Sequence, residues 1–212
     1  MDQLDKFKKE WQTREQELPK VSFNDIYKML LKKSSSIVKW IFIISVAELL
    51  FWIGLYFIIP EENMILMHEM GIGEILYYAN IFHFAVFGLF IFLFYKNYQS
   101  IQVTDNTKML MKNILNTRKT VRYFVIYNIG MFIVSSIVVD SFFYNNSNKL
   151  YNAMDFASKG VPKENFANVF IIAQVLVGVA VIGLLILFYW LVYGILLKRL
   201  NTNYKELQKM EN

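Results

Sequence analysis

Two ionisable side chains interrupt long apolar stretches: Glu48 within SVAELLFW and His83 within ANIFHFAVF. An ionisable group at such a place is costly to bury and marks a functional candidate. At 1.5 Å per helical residue, Glu48 falls ~16 Å and His83 ~18 Å from the inner ends of their helices. The two therefore share a depth near the membrane midplane on helices joined by a short connection. A Glu48 to His83 hydrogen bond is expected, serving as a proton relay, a ligand site or a polar tie between helices. The tie is the simpler reading, because transporters carry more intramembrane polar groups and broken helices, and none of the apolar spans contains Pro.

Little other chemistry is available. The chain has no Cys and 2 His, His68 and His83, which excludes disulfides, thiolate metal sites and cysteine nucleophiles and leaves too few ligands for a multi-histidine centre. It carries no P-loop, GxSxG elbow, HExxH or dinucleotide fingerprint. The GIGE at 71–74 follows no strand and reads as a loop. No catalytic residue, metal or cofactor is expected, and the chain reads as a non-enzyme.

The elements that must hold Glu48 and His83 follow from composition. In 212 residues, 56% are hydrophobic, with 19 Phe, 13 Tyr and 4 Trp, and mean hydropathy is +0.35, which points to an integral membrane protein. Spans are predicted at 37–59, 75–95, 121–143 and 169–197, each long enough for a hydrocarbon core of ~30 Å. The fold class is thus an all-α four-helix transmembrane bundle. Lys and Arg divide 17 to 3 between the inner and outer pieces, with Lys39 and Arg122 at span ends, so both termini are expected in the cytoplasm. The net charge of +5 then reflects topology and anionic lipid, and nucleic acid is not an expected partner. No signal peptide is read, because 36 mostly polar residues precede the first apolar run, and the first span is expected to be an uncleaved anchor.

The helices are predicted to run on into the cytoplasm. Ser22 and Asp25 form a capping box, with Val21 and Ile26 as a hydrophobic staple, and no Pro or Gly interrupts residues 23–52. Thr104 or Asp105 can cap the third long helix, where Met109, Leu110, Ile114 and Leu115 make an apolar stripe; Leu200, Tyr204 and Leu207 extend the fourth. These stripes predict mutual packing beyond the inner leaflet, the alternative being helices lying flat on the headgroups. Residues 1–18 form a separate amphipathic segment with Leu4, Phe7 and Trp11 on one face, set apart by Pro19 from the transmembrane domain over 19–212.

Outside, EENMILMHEM and NNSNKLYNAMDFASKG predict short capping helices, closed by Gly71, Gly73 and Gly160, and Pro162 suits the first turn of the last helix. Asn80, Asn128, Ser45, Ser135, Ser136 and Gln174 are expected to bond across helices. Trp40, Tyr95, Tyr123, Tyr144 and Tyr193 are expected in interfacial belts. Gly178, Ala180 and Gly183 read as a site of close packing within the monomer, and only weakly as a signal for a homo-oligomer.

The run from Glu17 to Trp52, with DIYKM followed by KKSSSIVKWI, resembles the N-terminal signature of an uncharacterised family of small four-span bacterial inner-membrane proteins. The resemblance implies a gene setting beside extracytoplasmic-function sigma factors and a role resembling membrane-bound anti-sigma regulation. It carries over no functional residues, and without Cys the chain has no zinc-binding anti-sigma motif. The expected function is an inner-membrane regulator or scaffold that binds a cytoplasmic protein through Leu4, Phe7, Trp11 and the helix extensions. The alternative is a small transporter or channel component using Glu48 and His83.

Overall fold

A computed structural model describes residues 22–58, 60–104 and 106–211. The segment holding Leu4, Phe7 and Trp11, and the staple residue Val21, lie outside the described residues. Every regular element described is a helix: α1 (Phe23–Ile58), α2 (Glu61–Glu69), α3 (Gly73–Gln102), α4 (Thr107–Asn145), α5 (Ser147–Ala153), α6 (Phe166–Tyr189), a π turn (Trp190–Gly194) and α7 (Ile195–Glu211). α6, the π turn and α7 form one unbroken rod. That rod, α1, α3 and α4 are each long and apolar enough to cross a membrane, as a multi-pass membrane protein requires.

The start of α1 obeys its local sequence. Ser22 Oγ accepts from the Asp25 amide at 3.2 Å, and the Asp25 carboxylate accepts from the Ser22 amide at 3.2 Å and its hydroxyl at 2.6 Å. This reciprocal box satisfies donors that the first helical turn would otherwise leave orphaned. The Ser22 bonds hold the Asp25 carboxyl below its ordinary value. α4 starts differently from expectation, with Asn106 as its cap, accepting from the Lys108 amide at 2.8 Å. Thr104 instead closes α3 by donating to Ser100 O, and Asn113 Nδ2 reaches both Ser100 O and Thr104 Oγ1. Tyr27 Oη donates to Thr104 O at 2.8 Å, pinning α1 to the same turn.

At the end where α1 begins and α7 stops, the base, Leu30, Ile101, Leu110, Ile114, Leu200 and Leu207 close one buried cluster drawn from all four long rods. The helix extensions therefore pack on one another, because each apolar stripe finds three others at the same height. Buried Asn203 Nδ2 donates to Ser34 Oγ at 3.0 Å and ties α7 to α1 there. The middle is an aromatic cluster centred on Phe124, whose ring lies 5.0 Å from Phe87 and 5.3 Å from Phe94.

The opposite end is a small cap built by α2, α5 and the following turn around Met70, Phe143, Leu150, Tyr151 and Phe166. Gly71 turns the chain with φ of 84°, a conformation only glycine adopts cheaply. Gly73 lies under the His68 ring, which a Cβ there would meet at 2.7 Å. The last rod begins at Phe166, after Asn165 in the left-handed region (φ 62°), and not at Pro162. The helix waits for the aromatic residue that the cap can bury.

Lateral packing is uneven along the molecule. α1 lies against α3 along their length, and α7 lies against both α1 and α4 at the base. Nearer the cap, α6 leans on α4, with α5 against its start, and parts from α1. Gly178 and Gly183 on α6 have open space over their Cα atoms, and Ala180 is exposed, so the small-residue patch does not serve close packing within the monomer.

Candidate functional site

The divergence of α1 and α6 opens a chamber of about 690 Å³, walled by all four long helices. Most of its lining is apolar, including Trp52, Phe84 and Leu185, while Asn80, His83, Asn128 and Tyr189 bring polar groups to it. A concave apolar space with a few convergent polar groups is the usual form of a small-molecule site.

Where α1 and the last rod close up again, Glu48 is 7% exposed. Tyr189 Oη donates to its Oε1 at 2.6 Å, and Tyr193 Oη donates to its Oε2 at 3.0 Å. Both oxygens of a carboxyl buried among apolar side chains thus acquire a partner, which relieves the desolvation cost of holding it there. The two tyrosines stand four apart, Tyr189 at the end of α6 and Tyr193 within the π turn, a turn one residue wider than that of an α-helix and frequent at functional sites. Trp52, one turn along α1, is a further side-chain contact of Glu48.

Glu48 and His83 are not paired. The carboxyl is turned to α6 and the π turn while the imidazole is turned to α4. His83 stacks on Tyr127 with centroids 5.7 Å apart and planes 13° from parallel, and meets the edge of Phe87 at 6.0 Å. Its buried Nδ1 has no hydrogen-bond partner among the described residues, nor has the buried Tyr127 hydroxyl. The physical reason lies in the helix order: α1 has α3 on one side and the last rod on the other, and a single side chain can reach only one of them.

Tyr193, expected in an interfacial belt, is 1% exposed and belongs to the core, whereas Trp40, Tyr95, Tyr123 and Tyr144 are exposed as an aromatic belt requires. Sequence reasoning missed Tyr189 and Tyr193 as site residues. The available signal was their i, i+4 spacing in a helix otherwise short of polar groups, opposite a chain with one intramembrane Glu. Two expected cross-helix bonds are local ones: Ser45 Oγ donates to Phe42 O at 2.8 Å, and Asn128 Nδ2 to Phe124 O at 2.8 Å. Among the described residues no group of His, Asp and Glu could hold a metal ion.

One family model, described as a domain of unknown function (DUF8845), matches residues 24–212. The chain belongs to the DUF8845 family. The match begins one residue into α1 and takes in the base, the Glu48 cluster, the chamber and the cap, so the DUF8845 unit is the whole bundle. No curated protein and no solved structure matches the chain.

Proposed function

We propose that this DUF8845 protein is a non-enzymatic regulator or scaffold of the bacterial inner membrane. Both termini lie in the cytoplasm, and a cytoplasmic protein docks on the base and the N-terminal segment. The supporting observation is that the base is a packed four-helix unit rather than four frayed helix ends. Its apolar stripes are used internally, yet Phe23, Val103 and Met109 stay exposed at that end. Leu4, Phe7 and Trp11 precede Phe23 and supply further anchors of the kind that dominate binding energy. The 17 to 3 division of basic residues supports the orientation, and the family resemblance suggests anti-sigma-like regulation as its form.

The test is affinity purification of the full chain in mild detergent, with and without residues 1–18. A cytoplasmic protein that co-elutes with the full chain and is lost on deletion supports the reading; a full chain that retains no cytoplasmic protein refutes it.

The chamber and the buried Glu48 cluster favour a second reading, a small transporter or channel component. It requires ion or proton flux in proteoliposomes that Glu48→Gln and His83→Phe each abolish.

A further inference from the structure

A second concavity, about 460 Å³, lies between α1 and α7 on the side of the base. Lys33 and Ser36 enter it from α1, and Arg199, Thr202 and Glu206 from α7, over a floor that includes Ile37 and Asn203. Its walls are fixed, because the Asn203 to Ser34 hydrogen bond ties the two helices together at this height. Among the described residues neither Lys33 nor Arg199 has a carboxylate within ion-pairing distance. Two cations thus converge from separate helices without an ion-pair partner, beside the hydroxyls of Ser36 and of Thr202, the latter donating to Lys198 O at 3.3 Å. Arginine and hydroxyl donors around a point charge are the usual recognition set for phosphate.

The height of the groove adds a second argument. Ile37 and Leu197 are the predicted inner ends of the first and last spans, so Lys33 and Arg199 stand at headgroup level. Following the same faces one turn into the span, Lys33, Ser36 and Ile37 lead to Trp40, and Arg199 leads to Ile195. Trp40 is 55% and Ile195 48% exposed. The two faces therefore pass from cationic to hydrocarbon-compatible within one turn, the profile of a phospholipid and not of a free ion.

We infer that the α1–α7 groove binds an anionic phosphate group, delivered as the headgroup of an acidic phospholipid whose chains lie along Trp40 and Ile195. Basic pockets between membrane helices at headgroup level hold acidic lipids in this way. Glu206 opposes the anion and tunes the site so that a diester monoanion is held without being trapped.

The experiment reconstitutes the full chain in phosphatidylcholine vesicles containing a minority of phosphatidylglycerol and counts retained lipids by native mass spectrometry after mild detergent extraction. The expected result is selective retention of phosphatidylglycerol, reduced about tenfold by Lys33→Ala with Arg199→Ala. Lys205→Ala with Lys209→Ala, an equal loss of charge elsewhere on α7, should leave retention within about twofold. Glu206→Gln should raise retention, a gain that misfolding cannot produce. Equal loss in both double variants, or no loss in the groove variant, overturns the site. Inorganic phosphate displacing phosphatidylglycerol at millimolar concentration overturns the lipid as its source.

Discussion

Glu48 shows how one side chain organises the middle of the bundle. Its carboxyl takes the Tyr189 and Tyr193 hydroxyls of the last rod, and each bond to such an acceptor contributes about 1–2 kcal/mol in a membrane interior. Tyr189→Phe and Tyr193→Phe should each lower resistance to denaturing detergent by roughly 1 kcal/mol in reversible unfolding. In a Glu48→Leu background the same changes should have almost no effect, and full additivity would show that the bonds are not coupled to Glu48. His83 behaves otherwise, because its Nδ1 has no partner and its ring packs on aromatics. His83→Phe should leave stability within about 0.5 kcal/mol or raise it. Loss of flux with unchanged stability would then identify His83 as a functional and not a structural group.

At the scale of elements, the helix starts and stops are largely local chemistry. The Ser22–Asp25 box is legible as a four-residue pattern because its three bonds all close within one turn. It also gives a pH dependence. Asp25 is held below its ordinary value, so its contribution is present above the unfolded-state value near 3.8 and is lost as pH falls through the lower folded value. Ser22→Ala should move the Asp25 titration upward and raise amide exchange in the first turn of α1 about fivefold, as followed by NMR. The start of the last rod was not legible in the same way. Pro162 is a good first-turn residue, but the helix begins at Phe166 because the cap buries that ring against Tyr151 at 5.1 Å. The π turn is equally silent in sequence, since it depends on what Tyr189 and Tyr193 must reach across the bundle.

The whole molecule divides into base, aromatic middle and cap, each with its own buried cluster. If the base is an integral part of the bundle, removing one of its central side chains should loosen that end selectively. Leu207→Ala, at a fully buried position, should cost about 2–4 kcal/mol. Hydrogen exchange should accelerate at the ends of α1, α4 and α7 while the spans stay protected. Uniform loss of protection would mean that base and spans unfold as one unit. The same division explains the chamber: the last rod meets α1 at the base and departs from it toward the cap, leaving a wedge above the Glu48 cluster.

Sequence alone determined the four apolar rods, their continuation beyond the predicted spans and the capping box. These depend on composition, on the 3.6-residue period and on helix rise, which neighbouring residues set. Only the tertiary structure decided that Glu48 faces Tyr189 and Tyr193, that Tyr193 is core, that Gly178 and Gly183 face open space, and that Lys33 and Arg199 share a groove. Each depends on which helix stands beside which and on the rotation of each about its axis. Several rod arrangements share the same apolar pattern, and the choice among them rests on side-chain shape and a few buried polar bonds more than a hundred residues apart, such as Glu48 with Tyr189 and Ser34 with Asn203.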